Sequence, residues 1–188
     1  MDYFTHRNEY EFYGLANTSK DFIKHIKKNN LINKAVVSKT AAKLGYIDAL
    51  EFLLENDHVF PDDIGIMAVI HNKIDVMDFL LNNGFELENE LLYAIDYGHL
   101  DMVEYLYDKT DINGSEAAIA ASNGHVDILD FLYRRGFEWN GYEAEEAAAN
   151  NNMEVIKYLN TVDYVFSGNE ADLARSTRLK RYILDYVY

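Results

Sequence analysis

Apolar and polar positions recur along this chain with a period of 26–27 residues. Five segments align without gaps, and their starts lie 27, 26, 26 and 27 residues apart. They begin at Ala41, Ala68, Ala94, Ala120 and Ala147. A weaker copy, Gly14–Lys27, precedes them, and the last residues, 181–188, are similar to the end of the fifth copy. Self-similarity at a fixed period predicts a repeat architecture.

One column of this alignment is acidic in all six copies. It comprises Asp21, Asp48, Asp75, Asp101, Asp127 and Glu154. In the five stronger copies two apolar residues follow it and, after one further position, an aromatic residue and leucine, as in Phe52–Leu53. This spacing predicts a helix with a broad apolar stripe. The acidic residue is expected in its first turn, where a negative charge interacts favourably with the helix dipole.

A shorter, alanine-rich helix is predicted before each striped helix, for example over Glu116–Ser122 and Glu143–Asn150. Between the two helices the copies have Gly45, Asn72, Gly98, Gly124 and Asn151. Gly and Asn adopt a left-handed helix terminus at the lowest cost. Gly84 and Gly136 are expected to end the second helix likewise, each followed by a Phe (Phe85 and Phe137) that packs back on it.

The predicted fold is all-α, a stack of about six to seven helix-turn-helix repeats that share one core. We expect a single domain over residues 1–188, with repeats at 14–40, 41–67, 68–93, 94–119, 120–146 and 147–173. A capping helix is predicted over residues 174–188. Residues 1–13 are rich in aromatic side chains and are expected to cover the first hairpin as a lid, with contact to a partner as the alternative.

Composition narrows the classes of function. The 188 residues include 32 acidic and 17 basic ones, a net charge of −15, which excludes a face-wide basic surface for duplex nucleic acid. Half of the residues are apolar, which favours a packed core over disorder. No long apolar run and no secretory signal pattern are present, and Cys is absent. We therefore expect a cytoplasmic protein that does not interact with membranes.

The chain shows no pattern typical of catalysis, cofactor binding or metal binding. Nucleophile-elbow and phosphate-loop motifs are absent. His99 and His125 occupy the same repeat column, which predicts hydrogen bonding within a turn rather than a metal site. The other four histidines are scattered: His6, His25, His58 and His71. The acidic pair Glu145–Glu146 is interpreted as a solvated face, so we expect no enzyme activity, no cofactor and no metal.

The segments Ala94–Asn113 and Ala120–Asn140 resemble ankyrin repeats. They match the family pattern A-A-x-x-G-H-L-E-I-V-x-x-L-L-x-x-G-A-D-V-N almost position by position, and the resemblance covers about residues 14–160. Two features depart from the family: its repeats run to about 33 residues, and its Thr-Pro-Leu-His opening is missing here. The short link from Asn113 to Ala120 predicts that the projecting β-hairpin is shortened or absent. The aromatic column is similar to that of divergent ankyrin arrays of large DNA viruses and protists. For a viral protein, the expected location is the cytoplasm of the host cell.

The resemblance implies a non-enzymatic protein-interaction module, an adaptor or inhibitor, that is a monomer on its own. In ankyrin arrays the two residues after the alanine pair face the concave groove. By position these are Lys43, Leu44, Ile70, His71, Asp96, Tyr97, Ser122, Asn123, Ala149 and Asn150. Their chemistry changes in every copy, whereas most other columns keep one residue type. A row containing Leu44, Ile70 and Tyr97 would form the exposed apolar patch of a partner site; the alternative is burial between repeats.

Two other functions fit the sequence. An acidic chain can act as a decoy that mimics nucleic acid and occupies a basic protein site. The array can also be a structural subunit of a larger assembly. Near the C-terminus, four basic residues cluster in an otherwise acidic protein: Arg175, Arg178, Lys180 and Arg181. We interpret them as a polar cap, with contact to a small acidic ligand as the alternative.

Overall fold

A computed structural model describes residues 18–29, 34–162 and 164–187. The predicted N-terminal lid, residues 1–13, lies outside these ranges. Thirteen α-helices and one short 3-10 helix are present in the described residues, and no β-strand is found there. None of these helices is long and apolar enough to cross a membrane. The chain divides into two compact units, residues 1–90 and 91–188.

The N-terminal unit stacks its helices in two layers. Its helices are α1 (Ser19–Asn29), α2 (Lys34–Leu44), α3 (Ile47–Glu55), α4 (Ile64–Ile70) and α5 (Ile74–Asn82). The first helices of successive pairs, α2 and α4, pack against each other, and the second helices α1, α3 and α5 form the other layer. The fully buried Phe22 of α1 meets Tyr46 edge to face at a ring-centroid distance of 5.6 Å. The weak first copy of the repeat therefore supplies a second helix to this layer.

The C-terminal unit repeats the same arrangement. Its helices are α6 (Glu90–Asp96, of which Glu90 belongs to the N-terminal unit), α7 (Leu100–Leu106), α8 (Glu116–Asn123), α9 (Val126–Arg134), α10 (Tyr142–Ala149), α11 (Met153–Leu159), α12 (Glu170–Leu173) and α13 (Thr177–Tyr186). First helices α8, α10 and α12 pack in one layer, and second helices α7, α9 and α11 pack in another. Leu179 and Ile183 of α13 are fully buried.

The turns inside each pair follow the sequence prediction. Gly45, Gly98 and Gly124 have φ between 71° and 83°, and Asn72 and Asn151 have φ of 49° and 64°. All six residues of the acidic column lie in the first turn of a second helix and are exposed. The predicted pairing of helix, tight turn and helix is confirmed.

The end of the second helix is also closed as predicted. Gly84 and Gly136 have φ of 85° and 81°. The backbone N–H groups of Phe85 and Phe137 donate to carbonyls five residues earlier, each at 3.0 Å. The Phe85 ring packs so closely on Gly65 of α4 that a Cβ at Gly65 would lie 2.5 Å from its Cζ.

The repeat stack is an all-α ankyrin-type fold without β-hairpins in the described residues. Structurally, each helix pair begins with its first helix, so the alanine pair used for the alignment lies inside that helix. In α2, for example, Ala41 is seven residues beyond the start at Lys34. The repeat boundaries given above and the single-domain division remain predictions.

Candidate protein-binding surface

In the N-terminal unit, the four predicted groove residues lie at the ends of the first helices. Lys43 and Leu44 end α2, Ile70 ends α4, and His71 follows it. Lys43 is exposed, whereas the other three side chains are half-buried. The predicted apolar positions in this unit are therefore partly covered.

In the C-terminal unit the equivalent residues lie at the ends of α6, α8 and α10. Asp96, Tyr97, Asn123 and Asn150 are exposed. Tyr97 keeps 48% of its surface accessible and stacks on His99, with ring centroids 6.2 Å apart and an interplanar angle of 23°. The remaining two residues of the set, Ser122 and Ala149, are half-buried. Most of the side chains are thus available to solvent here.

Hydrogen bonds join these side chains across neighbouring repeats. Asn123 Nδ2 donates to Asp96 Oδ1 at 2.9 Å. Asn150 Nδ2 donates to Ser122 Oγ at 2.9 Å, and Ser122 Oγ donates to Glu146 Oε2 at 3.2 Å. Residues 24 to 28 positions apart therefore lie on one continuous surface, which we name the first-helix face of the C-terminal unit.

The two asparagines are held in place by their own helices. Asn123 Nδ2 also donates to the Ile119 carbonyl at 3.1 Å, and Asn150 Nδ2 donates to the Glu146 carbonyl at 3.0 Å. Each amide thus adds a hydrogen bond to a carbonyl in the last turn of its helix, and the Glu146 carbonyl also accepts the Asn150 backbone N–H at 3.0 Å. The row of polar groups is therefore ordered before any partner binds.

The residue before each second helix supports the turn of the preceding repeat. His125 Nε2 lies 3.1 Å from the Asp96 carbonyl oxygen, and its ring covers Gly98, where a Cβ would be 2.5 Å from Cε1. Asn152 Nδ2 reaches the carbonyls of Ala121 and Ser122 at 2.8 and 2.7 Å. The predicted role of His125 in a turn is confirmed. No group of three or more His, Asp or Glu side chains suited to a metal ion occurs within the described parts of the chain.

The exposed charges on the first helices differ between the units. Helix α2 carries three lysines and no acidic residue, and Lys39 pairs with Asp63 at 2.5 Å. Helices α6, α8 and α10 carry no Lys or Arg at all. Asp96 and Glu146 are exposed. Within the described residues neither carboxylate has a Lys, Arg or His nitrogen within 4.0 Å.

An aromatic cluster lies at the end of α9 and in the loops that follow in the C-terminal unit, with Tyr133 exposed, Trp139 half-buried and Tyr164 buried. The rings of Tyr133 and Trp139 are stacked, with centroids 5.8 Å apart and an interplanar angle of 5°. Trp139 also meets Tyr164 edge to face. Tyr133 is 43% exposed. The sequence analysis did not single out this cluster, whose members lie on both sides of the predicted helix-ending glycine, Gly136.

Comparison with known proteins decides the family. Residues 38–116 match the family model "Ankyrin repeats (3 copies)". The crystal structure of the human ASB11 ankyrin repeat domain superposes with a TM-score of 0.68, at 18% identity, over 88% of this chain and 91% of that one. A comparison with curated protein sequences gave no match. Residues 38–116 are therefore ankyrin repeats, and the fold of the chain is that of an ankyrin repeat domain. Ankyrin repeats are generally modules of protein–protein interaction and generally lack enzyme activity.

Four of the first helices, α6, α8, α10 and α12, have a buried glutamate in their first turn. Glu90, Glu116, Glu143 and Glu170 are at most 3% exposed and recur every 26 or 27 residues. Each accepts hydrogen bonds from backbone N–H groups of the loop before it. The sequence analysis missed this column, but a signal was present: Gly-x-Glu recurs at 114–116, 141–143 and 168–170.

Glu143 shows how this ankyrin loop is fixed. Its Oε1 accepts from the Asn140 N–H at 3.1 Å, and its Oε2 accepts from the Gly141 N–H at 3.0 Å. The Tyr164 hydroxyl donates to Oε2 at 3.1 Å. Burial and the nearby carboxylates of Glu143 and Glu170 raise the pKa of Tyr164 well above its usual value. The carboxylate thus satisfies two loop donors and one side-chain donor at once.

Proposed function

We propose that this ankyrin-repeat protein is a non-enzymatic adaptor or inhibitor that binds a partner protein through the exposed ends of its first helices. The observation that carries the proposal is the row formed by Asp96, Tyr97, Asn123 and Asn150. These side chains are exposed, and hydrogen bonds from Asn123 and Asn150 join neighbouring repeats. The two columns hold Asp–Tyr, Ser–Asn and Ala–Asn in successive repeats, so the pair as a whole differs from copy to copy. A scaffold alone does not require such exposed variation, whereas a binding surface does.

The order of this row supports recognition of a specific partner. Because each asparagine is already fixed by its own helix and by a neighbouring repeat, little side-chain freedom is lost on binding. Tyr97 adds a large, partly apolar ring, a side chain enriched in the energetically dominant positions of interfaces. Along with this function, we propose a cytoplasmic monomer that needs no cofactor and binds neither nucleic acid nor membranes.

The competing function, an acidic decoy, makes a different prediction about which surface is used. The acidic column of the second helices is exposed and follows the repeat register, so a decoy would use these acids as much as those of the first helices. Electrostatic binding of that kind is also strongly weakened between about 50 and 300 mM salt.

Site-specific photo-crosslinking in the cell that expresses the protein tests the proposal. A photoreactive phenylalanine analogue replaces Tyr97 in one variant and the exposed Glu104 of α7 in the control. We expect a partner protein crosslinked from position 97 and not from position 104. Equal crosslinking from both positions would favour the decoy, and none from position 97 would contradict the proposed surface.

A further inference from the structure

The first-helix face of the C-terminal unit combines two exposed tyrosines with two exposed carboxylates. Tyr93 and Tyr97 are 38% and 48% exposed. Tyr93 lies on α6 and Tyr97 directly follows it, with its N–H donating to the Tyr93 carbonyl at 3.0 Å, so the two rings lie one helical turn apart on one side. Asp96 lies three residues from Tyr93 and shares this side. Asn123 and Ser122 connect it to Glu146 through the hydrogen bonds described above.

The negative charge of this face is not balanced by the protein. Asp96 and Glu146 each accept a hydrogen bond from one neutral side chain, Asn123 or Ser122, and no ion pair in the described residues involves either. The basic residues of this unit that the structure describes lie elsewhere. They are Lys109 in the 3-10 helix, Arg134 and Arg135 at the end of α9, Lys157 on α11, and Arg175, Arg178, Lys180 and Arg181 near α13.

The combination favours one kind of side chain over others. An arginine guanidinium pairs with carboxylates and stacks on tyrosine faces, so a single residue type can use both features of the face. A lysine pairs with the carboxylates but lacks the planar group. Phosphate groups and acidic segments are repelled by the same carboxylates.

We infer that the first-helix face of the C-terminal unit binds an extended, arginine-rich segment of a partner protein. This inference rests on the proposed function and adds the chemistry of the partner. In the bound state the guanidinium groups pair with Asp96 and Glu146 and stack on Tyr93 and Tyr97. Asn123 ends α8, the helix between these anchors, and its exposed amide oxygen can accept from the peptide backbone.

The size of the segment follows from helix packing. Neighbouring packed helices lie about 8–10 Å apart, so the three first helices α6, α8 and α10 span about 20 Å. An extended chain covers about 3.3 Å per residue, and about six or seven residues therefore cross the face. Two arginines separated by several residues suffice to reach both carboxylates.

A binding titration with a defined peptide tests this inference. The probe is a fluorescent peptide of alternating arginine and glycine, about eight residues long, titrated with the full chain at fixed salt. The test variant is Asp96→Asn with Glu146→Gln, which keeps the acceptor oxygens of both hydrogen bonds. The control is Asp111→Asn with Glu104→Gln, two exposed acids outside the first helices. Both variants change the net charge by the same amount.

We expect the test variant to bind the peptide about fivefold more weakly than the control, because each exposed ion pair contributes roughly 0.5 kcal/mol. Tyr97→Ala should weaken binding about threefold through loss of stacking, whereas Tyr97→Phe should bind like the original chain. Equal affinity of the two charge variants would mean unspecific attraction to an acidic protein and would overturn the inference.

The crosslinking experiment separates this inference from the proposed function. If position 97 crosslinks to a partner whose contacting segment lacks basic residues, the proposed function holds and the arginine-rich occupant is wrong. If the peptide distinguishes the charge variants but position 97 captures nothing in cells, the chemistry of the face holds and the proposed function is wrong.

Discussion

The N-terminal and C-terminal units use the same helix pair but begin their first helices differently. In the N-terminal unit the buried register positions at Val37 and Ile64 are apolar. From Glu90, the last residue of the N-terminal unit, onward the same register holds glutamate, with Glu116, Glu143 and Glu170 in the C-terminal unit. A buried carboxylate is tolerated only where donors surround it. The difference shows that one stacking geometry accepts either an apolar contact or a hydrogen-bonded loop at this position.

The exposed faces of the first helices differ as well. On α2 of the N-terminal unit Lys43 is exposed, whereas in the C-terminal unit the exposed charges Asp96 of α6 and Glu146 of α10 are acidic. The apolar columns are nearly unchanged between the units, so packing does not dictate these charges. The charge variants described above test the acidic side of this contrast, and the variants below compare the stability of the two units.

The largest expected effect is at the buried glutamates. Glu143→Ala removes the acceptor of two loop N–H groups and of the Tyr164 hydroxyl, and we expect a loss of about 3 kcal/mol in the free energy of unfolding. The control Glu146→Ala removes an exposed carboxylate on the same helix and should cost less than about 0.5 kcal/mol.

Urea unfolding measures both variants, and hydrogen exchange locates the change. We expect Glu143→Ala to increase exchange in residues 91–188 and to leave 18–90 unchanged. Equal stability of the two variants would show that the glutamate column does not stabilise the C-terminal unit.

The second contrast compares the turn glycines of the two units. Both Gly45 and Gly98 have positive φ, so alanine at either costs about 1 kcal/mol through backbone strain. At Gly98 a Cβ would also lie 2.5 Å from the His125 ring, whereas at Gly45 the nearest atom is the flexible Lys73 Cδ at 3.5 Å. We expect Gly98→Ala to lose about 2–3 kcal/mol in total.

Thermal or urea unfolding of the two glycine variants checks this difference. The double variant Gly98→Ala with His125→Ala should recover part of the loss, because the clashing ring is removed. Equal losses at Gly45 and Gly98 would mean that the histidine moves aside without cost.

Alkaline pH should destabilise the C-terminal unit through Tyr158, a tyrosine whose aligned positions in the N-terminal unit hold phenylalanine. Burial, with the charge and hydrogen bond of Asp130, raises the pKa of Tyr158 from 10.0 to about 12. The aligned residues of the N-terminal unit, Phe52 and Phe79, do not ionise. Because the folded state favours the neutral phenol, this contribution to stability is complete below pH 10 and is lost as the pH rises to about 12.

The midpoint of urea unfolding measured across this pH range tests the alkaline effect. Tyr158→Phe removes the titrating group, so its midpoint should fall less steeply with pH than that of the original chain, while the titration of lysines stays common to both. Parallel pH profiles would contradict the assignment to Tyr158.

The smallest effect on stability is expected at Tyr97. Tyr97→Ala removes a ring that is 48% exposed, so the free energy of unfolding should change by less than about 0.5 kcal/mol, while binding of the crosslinked partner weakens. Tyr133→Ala is the matched control, because Tyr133 is 43% exposed and also stacked on a neighbouring ring, but it lies outside the first helices. Lost stability with unchanged binding would refute the placement of the site.

Much of the fold was predictable because a helix start or turn that recurs in several aligned copies is less ambiguous than one that occurs once. Six copies of the acidic column fixed the start of each second helix, and the Gly or Asn turn residues fixed the boundary between helices. The glutamate column was not recognised, although it recurs as regularly. A glutamate in a first helical turn is usually solvated, and its burial depends on the preceding loop folding over it.

For the candidate site, the sequence predicted which residues to consider but not how exposed their side chains are. The variable columns after the alanine pair pointed to Asp96, Tyr97, Asn123 and Asn150, and the structure places these side chains at the surface of the C-terminal unit. Leu44 and Ile70 lie in the same columns but are half-buried. The position of a residue in the repeat does not predict its exposure, because the exposure depends on the size of the residues that the next repeat packs against it.

The periodic sequence by itself determined the helix pairs, their turns and the ankyrin family, because these depend on residues close together in the chain. Stacking of the pairs decided which acids are buried and which are exposed, and which side chains bond across repeats. These properties arise between residues 24 to 28 positions apart, where helices from successive repeats meet and water is excluded or admitted.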